Sequence, residues 1–296
     1  MTAPIYLDYN ATTPVDPPVL EAMLPFLRGE FGNPSSTYPL GRRAHEAVEQ
    51  ARGEIASLIG ALPEEIVFTD GATEASNIAI RGAVALGGKR SSVVTTAIER
   101  PATEACCNLF ERSGHPVCRV PVDGSGIVLA ERVATAVDQR TALVTLIHAQ
   151  NEIGTLQPVS EIARTAQARG ALVHTDAAQS VGKVRVNVKE LGVDLLTIAG
   201  HKLCAPKGIG ALFVRKGVCV SPLAVGAGQE HGRRPGTENV PFIVALGTAC
   251  RVAAAGLEGW SKFLHTRFQR NSSAYCEKPC RGLCSLAIQR SVSRTP

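Results

Sequence analysis

The chain has 296 residues, of which 45% are hydrophobic and 19% are charged, a composition typical of a globular protein with one large and one smaller domain. The net charge of +5 arises at the C-terminal end, because residues 262–296 contain seven Lys or Arg and one Glu and residues 1–261 carry a net charge of −1. Because the body is near neutral, we predict no nucleic-acid partner. The lack of an apolar run of roughly 18 residues predicts no membrane partner. The lack of a signal-peptide pattern predicts a cytoplasmic location.

The predicted elements alternate between helix and strand from about residue 19 to about residue 256. Small and aliphatic residues recur at helical spacing through 40–59, which predicts an amphipathic helix. A short strand at 65–70 is followed by a helix that begins at Gly71. Further strands are predicted at 92–96, 142–148, 171–175 and 194–198, and further helices at 102–113, 160–169 and 240–257. This alternation predicts an α/β fold with a mainly parallel sheet sandwiched by helices.

The turn after the first predicted strand is a candidate anion site. Asp70 ends the strand, and Gly71, Ala72 and Thr73 lead into the helix. The first backbone N–H groups of a helix are free, and the helix dipole favours an anion there. The same residues are equally expected at an ordinary helix cap, so the motif alone does not decide between the two interpretations.

Two later strands place an amine and a carboxylate at their C-terminal ends. Lys202 follows the strand at 194–198, and Asp176 follows the strand at 171–175. A lysine can form a Schiff base with an aldehyde cofactor, and an aspartate can keep a basic ring nitrogen protonated, so that the ring acts as an electron sink. For each residue taken alone, a solvated loop lysine or a helix N-cap aspartate is the more common interpretation.

The cysteines do not predict a metal site or a disulfide framework. A chain of this size with nine cysteines does not show the pattern of a small secreted, disulfide-linked domain. Cys276, Cys280 and Cys284 are spaced by four, and His265 is the nearest histidine. Because this spacing fits no common structural zinc site, we predict no bound metal.

Seven motifs together resemble the pyridoxal-phosphate enzymes of the cysteine desulfurase and selenocysteine lyase family, within the class V aminotransferase group. In chain order the motifs are 5–14, 31–36, 68–77, 151–154, 176–179, 200–202 and 234–239. The resemblance runs from about residue 5 to about residue 256. It implies the large pyridoxal-phosphate transferase domain at 15–257, preceded by 1–14 as the N-terminal segment of a small domain. We expect 258–296 to be an atypical basic tail, poorly ordered, with the small C-terminal domain largely missing; a divergent extension is the alternative.

The resemblance implies four contacts to the cofactor phosphate. The backbone of Ala72, the hydroxyl of Thr73 and the ring of His201 are expected to hold it. Thr237 resembles a family residue that reaches the phosphate of the partner subunit across a dimer interface, which implies a homodimer. Ala199 stands where related enzymes often have a serine, and this difference removes one possible hydrogen bond to the phosphate.

The same resemblance implies the residues that surround the cofactor ring. Asp176 is expected to pair with the pyridinium nitrogen, and Gln179 to donate to the phenolic oxygen. Asn151 is expected to reach the phenolic oxygen or the substrate carboxylate. Lys202 is expected to carry the cofactor and to move protons, which it does best with a lowered pKa.

Two further features depart from the family pattern. Arg100 stands where the family has a histidine that stacks on the ring and moves protons. An arginine can stack by cation–π attraction, but it stays protonated and cannot act as a general base. The family's sulfur-accepting cysteine and its carboxylate-binding arginine belong to a C-terminal region to which no part of this chain shows resemblance.

The resemblance implies pyridoxal-phosphate-dependent removal of sulfur or selenium from L-cysteine or L-selenocysteine, leaving L-alanine. A sulfur- or selenium-accepting protein is a further expected partner. Two alternatives stay open from the sequence. One is a catalytically impaired form that binds cofactor or dimerises, and the other is a pyridoxal-phosphate lyase or transaminase with a different amino-acid substrate.

Overall fold

The structure is a computed structural model that describes the backbone of residues 5–268 and the side chains of residues 5–257. The helices are α1 (Pro17–Arg28), α2 (Pro39–Ile59), α3 (Ala72–Leu86), α4 (Pro101–Arg112), α5 (Ala130–Ala136), α6 (Val159–Gln167), α7 (Val188–Leu191) and α8 (Val240–Phe268). The strands are β1 (Ile66–Thr69), β2 (Ser92–Thr96), β3 (Val117–Val120), β4 (Thr141–Ile147), β5 (Leu172–Asp176), β6 (Leu195–Ala199) and β7 (Gly210–Val214).

All seven strands form one sheet in the order β1-β7-β6-β5-β4-β2-β3. Strand β7 runs antiparallel to both of its neighbours, β1 and β6. The other neighbouring pairs are parallel, so six strands point the same way and bring their C-terminal ends to one edge of the sheet. The predicted α/β class with a mainly parallel sheet is therefore confirmed.

Helices cover both faces of the sheet, because successive strand residues point to opposite sides. Val67 and Val93 are fully buried on the face that is covered by α3 and α4. Phe68 and Val94 point to the other face, where α1, α2, α6 and α8 contribute to the larger core. The polar groups that the buried strands carry at their ends are thereby left at the edge of the sheet, where a site can form.

The strongly periodic helix and five of the strands were predicted correctly, and strands β3 and β7 were missed. The helix predicted at 40–59 is α2, and the five predicted strands are β1, β2, β4, β5 and β6. Strand β3 was missed because it lies at the sheet edge with only Val120 buried, so it carries little apolar signal. Strand β7, although fully buried, was also missed, and with it the antiparallel pairing.

Helix α8 corrects the statement that the chain lacks an apolar run long enough to cross a membrane. Its segment Val240–Leu257 is long and apolar enough, by length and composition, to cross a membrane, although it contains Arg251. In this fold the helix packs against α1 and α2 and buries residues such as Ile243 and Leu246, as a core helix does. The helix continues to Phe268, so it includes the first residues of the predicted tail at 258–296, and residues 269–296 of that tail lie outside the described residues.

Candidate active site

The candidate site lies at the edge of the sheet where β1, β5 and β6 end. Asp176 is the last residue of β5, and Lys202 ends a short 3-10 turn, Gly200–Lys202, directly after β6. Strand β1 ends at Thr69 and leads through Gly71 into helix α3. Ligands of open α/β sheets bind in the crevice outside the carboxyl ends of the strands, and the sequence-predicted residues converge there.

Lys202 is buried, and it is held by the N-terminal segment of the chain. Its Nζ donates to the backbone carbonyl of Asn10 and, at 2.7 Å, to that of Ala11. Burial and the neighbouring cations Arg100 and Lys183 lower the pKa of Lys202 to about 8. A substantial fraction of this amine is therefore neutral, and nucleophilic, near physiological pH.

Asp176 is buried to 1% exposure, and two groups stabilise its carboxylate. Its Oδ1 accepts the backbone N–H of Ala178 at 3.0 Å, and its Oδ2 lies 3.4 Å from Nη1 of Arg100. Burial raises the pKa of Asp176, whereas Arg100 and the Ala178 N–H act against that shift. A buried carboxylate with one cationic partner is suited to bind a protonated ring nitrogen.

The start of helix α3 forms the anion-binding end of the pocket. Gly71 precedes the helix with φ of 145°, a backbone conformation that favours glycine, and no side chain caps the first turn. Ala72 and Thr73 line a pocket of about 660 Å³, together with Arg100 and His201. The free N–H groups of this first turn therefore face the space in which the predicted phosphate would sit.

His201 and Gln179 are oriented by their neighbours. The Nδ1 of His201 lies 3.1 Å from Oγ1 of Thr12, and burial together with nearby cations lowers the pKa of His201 to about 4. The histidine is therefore neutral. Gln179 donates from Nε2 to the Asn10 carbonyl at 3.0 Å and accepts at Oε1 from Nζ of Lys183 at 2.6 Å. Because the carbonyl only accepts and the ammonium only donates, these two bonds fix the orientation of the amide.

Two predicted site residues lie further from this cluster. Asn151 is joined to it through Asn10, whose Nδ2 donates to the Asn151 carbonyl at 3.2 Å. Thr237 is exposed on the loop before α8, and it is not among the described residues that line the pocket. The fold thus brings Ala72, Thr73, Arg100, Asp176, Gln179, His201 and Lys202 together and leaves Thr237 on the surface.

Sequence reasoning missed a half-buried acid, Glu99, whose carboxyl group is enclosed, and the backbone of the N-terminal segment. Glu99 accepts at Oε1 from the backbone N–H of Ile147 at 3.0 Å and from the hydroxyl of Thr96. Burial raises its pKa to about 8, and the nearby Asp176 adds to this shift. The burial of Glu99 has no periodic signal, because it lies in the turn between β2 and α4. The Asn10 and Ala11 contacts use carbonyl groups, which every residue carries, so the sequence does not reveal them.

The residues at this edge fit pyridoxal phosphate. An amine with a pKa of about 8, a buried carboxylate and the free N–H groups of a helix start are the groups that an aldehyde, a ring nitrogen and a phosphate require. The adjoining pocket of about 660 Å³ is within the range of ligand sites. Lys202 and Asp176 do not line it themselves but bond to Ala11 and Arg100, which do. Lys202 would hold the aldehyde carbon, Asp176 the ring nitrogen, and Ala72 and Thr73 the phosphate.

The lowered pKa of Lys202 predicts its reactivity in the protein without cofactor. Only the neutral amine is acylated, so the labelling rate of Lys202 should rise with pH and level off above about 8, instead of rising through the ordinary lysine value of 10.5. Competitive labelling with acetic anhydride, followed by mass spectrometry, measures this profile, with the exposed lysines of the same digest as reference. A midpoint near 10 for Lys202 would show that burial does not act on its amine.

Comparisons with known proteins agree on one family. The family model described as Aminotransferase class-V matches residues 5–267. A cysteine desulfurase of Trichormus azollae is 46% identical over 254 residues, which cover 86% of this chain and 64% of that protein. The cysteine desulfurase IscS of Rickettsia akari is 44% identical over 274 residues, 91% of this chain and 67% of that protein. The chain therefore spans about two thirds of the length of these curated relatives.

Solved structures show the same similarity. A structure described as a NifS-like protein superimposes with a TM-score of 0.84 at 39% identity and covers 90% of this chain and 74% of the matched chain. A structure described as SspA in complex with cysteine has a TM-score of 0.81 at 39% identity and covers 88% of this chain and 77% of the matched chain. Both are similar in fold and in sequence over most of the described residues.

Proposed function

The chain belongs to the class V aminotransferase family, and from this membership and the geometry of its site we propose that it removes sulfur from L-cysteine in a pyridoxal-phosphate-dependent reaction that leaves L-alanine. The observation that carries the proposal is the convergence of Lys202 and Asp176 at one sheet edge, both buried and both flanking Arg100. The relatives named as cysteine desulfurases, and the solved SspA structure that contains cysteine, support the choice of substrate.

Each residue of the site has a part in the proposed reaction. Pyridoxal phosphate, when bound, supplies an electron sink for the bonds at the substrate Cα. Lys202 would hold the aldehyde carbon through Nζ, and the same atom would accept the Cα proton of the substrate. The carboxylate of Asp176 keeps a proton on the ring nitrogen, and Gln179 donates from Nε2 to the phenolic oxygen. Neutral His201 donates one ring N–H toward the phosphate.

The test of the proposal is the release of alanine. The chain is incubated with pyridoxal phosphate, L-cysteine and excess dithiothreitol, which accepts the sulfur and reduces it to sulfide, and alanine and sulfide are quantified; a parallel reaction contains L-selenocysteine. Equal molar amounts of alanine and released sulfur support the proposal. Keto-acid formation in place of alanine would identify a lyase or transaminase, and cofactor binding without product would identify a binding protein without turnover. The selenocysteine reaction separates a desulfurase from a selenocysteine lyase.

Arg100 should limit the movement of protons in this site. Arginine keeps its proton near neutral pH, so it cannot exchange protons with the substrate as a histidine does. Lys202 is the proposed base at the substrate Cα, and Arg100→His adds a second group that can take up and return protons beside it. This substitution should therefore raise the exchange of the Cα proton of L-alanine for deuterium by about a hundredfold. The exchange is followed by proton NMR in D2O in the presence of cofactor. This assay does not require a sulfur acceptor.

The matched control for this substitution is Arg100→Gln, which removes the positive charge beside Asp176 without supplying a base. If the glutamine variant exchanges as fast as the histidine variant, loss of charge explains the gain. If all three proteins exchange at one rate, another residue moves the proton and Arg100 has no part in the transfer.

A homodimer and a sulfur-accepting protein belong to the same proposal. Thr237 is exposed on a loop whose base is fixed by the buried Glu230. A residue presented in this way is available to a second copy of the chain, which supports its proposed contact to the partner's phosphate. A cytoplasmic location is likewise part of the proposal.

A further inference from the structure

Two acidic side chains lie at the anion-binding end of the pocket. Asp70 and Glu74 flank Gly71, Ala72 and Thr73, and both line the pocket with them. Glu74 lies in the first turn of α3, and its Oε2 accepts the backbone N–H of Asp70. Two carboxylates beside a helix start oppose the binding of a phosphate dianion there, because like charges repel and both compete for the positive end of the helix.

Arg234 pairs with both of these acids. Its Nη2 lies 2.7 Å from Oδ1 of Asp70, and its Nε lies 3.4 Å from Oε1 of Glu74. The side chain of Arg234 is 20% exposed, whereas that of Asp70 is 68% exposed. The pocket is lined by Asp70 and Glu74 but, within the described part of the chain, not by Arg234, so the guanidinium lies behind the acids.

The position of Arg234 is fixed by a buried ion pair at the start of its loop. Glu230, four residues earlier, is bound by both terminal nitrogens of Arg52, each at 2.9 Å, and it accepts the backbone N–H of Phe68 at 2.8 Å. Glu230 and His231 have φ of 49° and 57°, a left-handed conformation that is unfavourable for residues other than glycine. A loop that is strained and clamped in this way holds its arginine in one place.

We propose, on the basis of the proposed function, that Arg234 is a positioning residue that neutralises Asp70 and Glu74 and so keeps the start of helix α3 open to the cofactor phosphate. Arg234 acts through the acids and does not itself touch the phosphate. Without the guanidinium, the two carboxylates would face the phosphate uncompensated. The contribution is electrostatic, so it acts on phosphorylated ligands and leaves the recognition of the pyridine ring unchanged.

A charge-compensation cycle tests this assignment. The dissociation constants of pyridoxal phosphate and of pyridoxal, which lacks the phosphate, are measured by equilibrium dialysis for four proteins. The four are the unmodified chain, Arg234→Met, the double variant Asp70→Asn/Glu74→Gln, and the triple variant that combines all three substitutions. Inorganic phosphate serves as a second probe, through its competition with pyridoxal phosphate.

The single and the double variant should change the dissociation constant of pyridoxal phosphate in opposite directions. Arg234→Met should weaken the binding of pyridoxal phosphate and of inorganic phosphate roughly tenfold or more, because the affinity of a site for an anion changes by about this factor when one neutralising charge is lost. It should change pyridoxal binding less than about twofold. The double variant should bind phosphate more tightly than the unmodified chain. The triple variant should return to within about threefold of it, because neither the acids nor their counter-charge remain.

Three results would overturn the inference. If the triple variant binds phosphate as weakly as Arg234→Met, the arginine binds the anion directly. If Arg234→Met weakens the binding of pyridoxal as much as that of pyridoxal phosphate, Arg234 only holds the loop. If the unmodified chain binds no phosphate, there is no anion site to protect. The proposed function fails in a different way, namely when phosphate binds as expected but no ligand becomes attached to Lys202.

Discussion

Replacing Lys202 by alanine should abolish covalent attachment of pyridoxal phosphate and lower alanine release by at least about a thousandfold. The side chain supplies both the nucleophile for the aldehyde and the base at the substrate Cα, and each of these contributions is large. The fold should persist, because within the described part of the chain the Nζ of Lys202 bonds to just two carbonyl groups, of Asn10 and Ala11. Borohydride reduction followed by peptide mapping measures attachment, and circular dichroism measures the fold.

Lys207→Ala is the matched control, because Lys207 lines the pocket next to this cluster and its loss, like that of Lys202, removes one positive charge. This variant should retain a borohydride-stable adduct on the peptide that contains Lys202. An adduct that persists in Lys202→Ala, or that maps to Lys207 in the unmodified chain, would show that the site has been assigned to the wrong lysine.

Glu230→Ala should lower the free energy of unfolding by about 3–5 kcal/mol, because it leaves the buried Arg52 guanidinium without its main counter-charge. Both side chains are at most 5% exposed, and Glu230 also accepts the backbone N–H of Phe68. Among the described residues, Arg52 would keep its contacts with Glu49, the Ile66 carbonyl and the face of the Phe68 ring. Urea denaturation, followed by circular dichroism, gives the change.

Glu49→Gln provides the comparison on the same arginine. Glu49 pairs with Nε of Arg52 at 3.0 Å but is 45% exposed, so its loss should cost less than about 1 kcal/mol. Equal costs for the two substitutions would mean that burial of the Arg52–Glu230 pair has no energetic consequence. If Glu230→Ala does not fold, Arg52→Met/Glu230→Met should regain part of the stability, since no unpaired buried charge remains.

The sequence predicted the elements whose burial shows directly in the pattern of apolar side chains. Helix α2 was located from its periodicity, and the buried strands from their apolar runs. Lys202 and Asp176 were found because each follows such a run directly. Their convergence follows from topology, since the C-terminal ends of parallel strands share an edge of the sheet.

The contacts that tune the site could not be predicted in this way. Arg234 meets Asp70 across more than 160 residues of chain, and nothing in either local sequence specifies the other. Arg100 was predicted to stack on a ring, whereas its position beside Asp176 depends on how α4 begins after β2. The burial of Glu99 depends on the same turn. Pairings of this kind are set by tertiary packing, which single-sequence patterns do not encode.

The antiparallel strand β7 has a consequence for the order in which the site assembles during folding. Ala199 and Gly210 are directly paired, and the N–H of Gly200 donates to the Ile209 carbonyl at 3.0 Å, so the segment carrying Lys202 is closed by neighbouring contacts. A β-hairpin forms in roughly 1–10 μs, whereas parallel strands require a long crossover before they pair. We therefore expect the hairpin that carries Lys202 to form before the slower pairing of β5 with β6 brings Asp176 beside it. On this expectation, the pairing of the carboxylate strand, and not the formation of the hairpin, sets the rate at which a competent site appears.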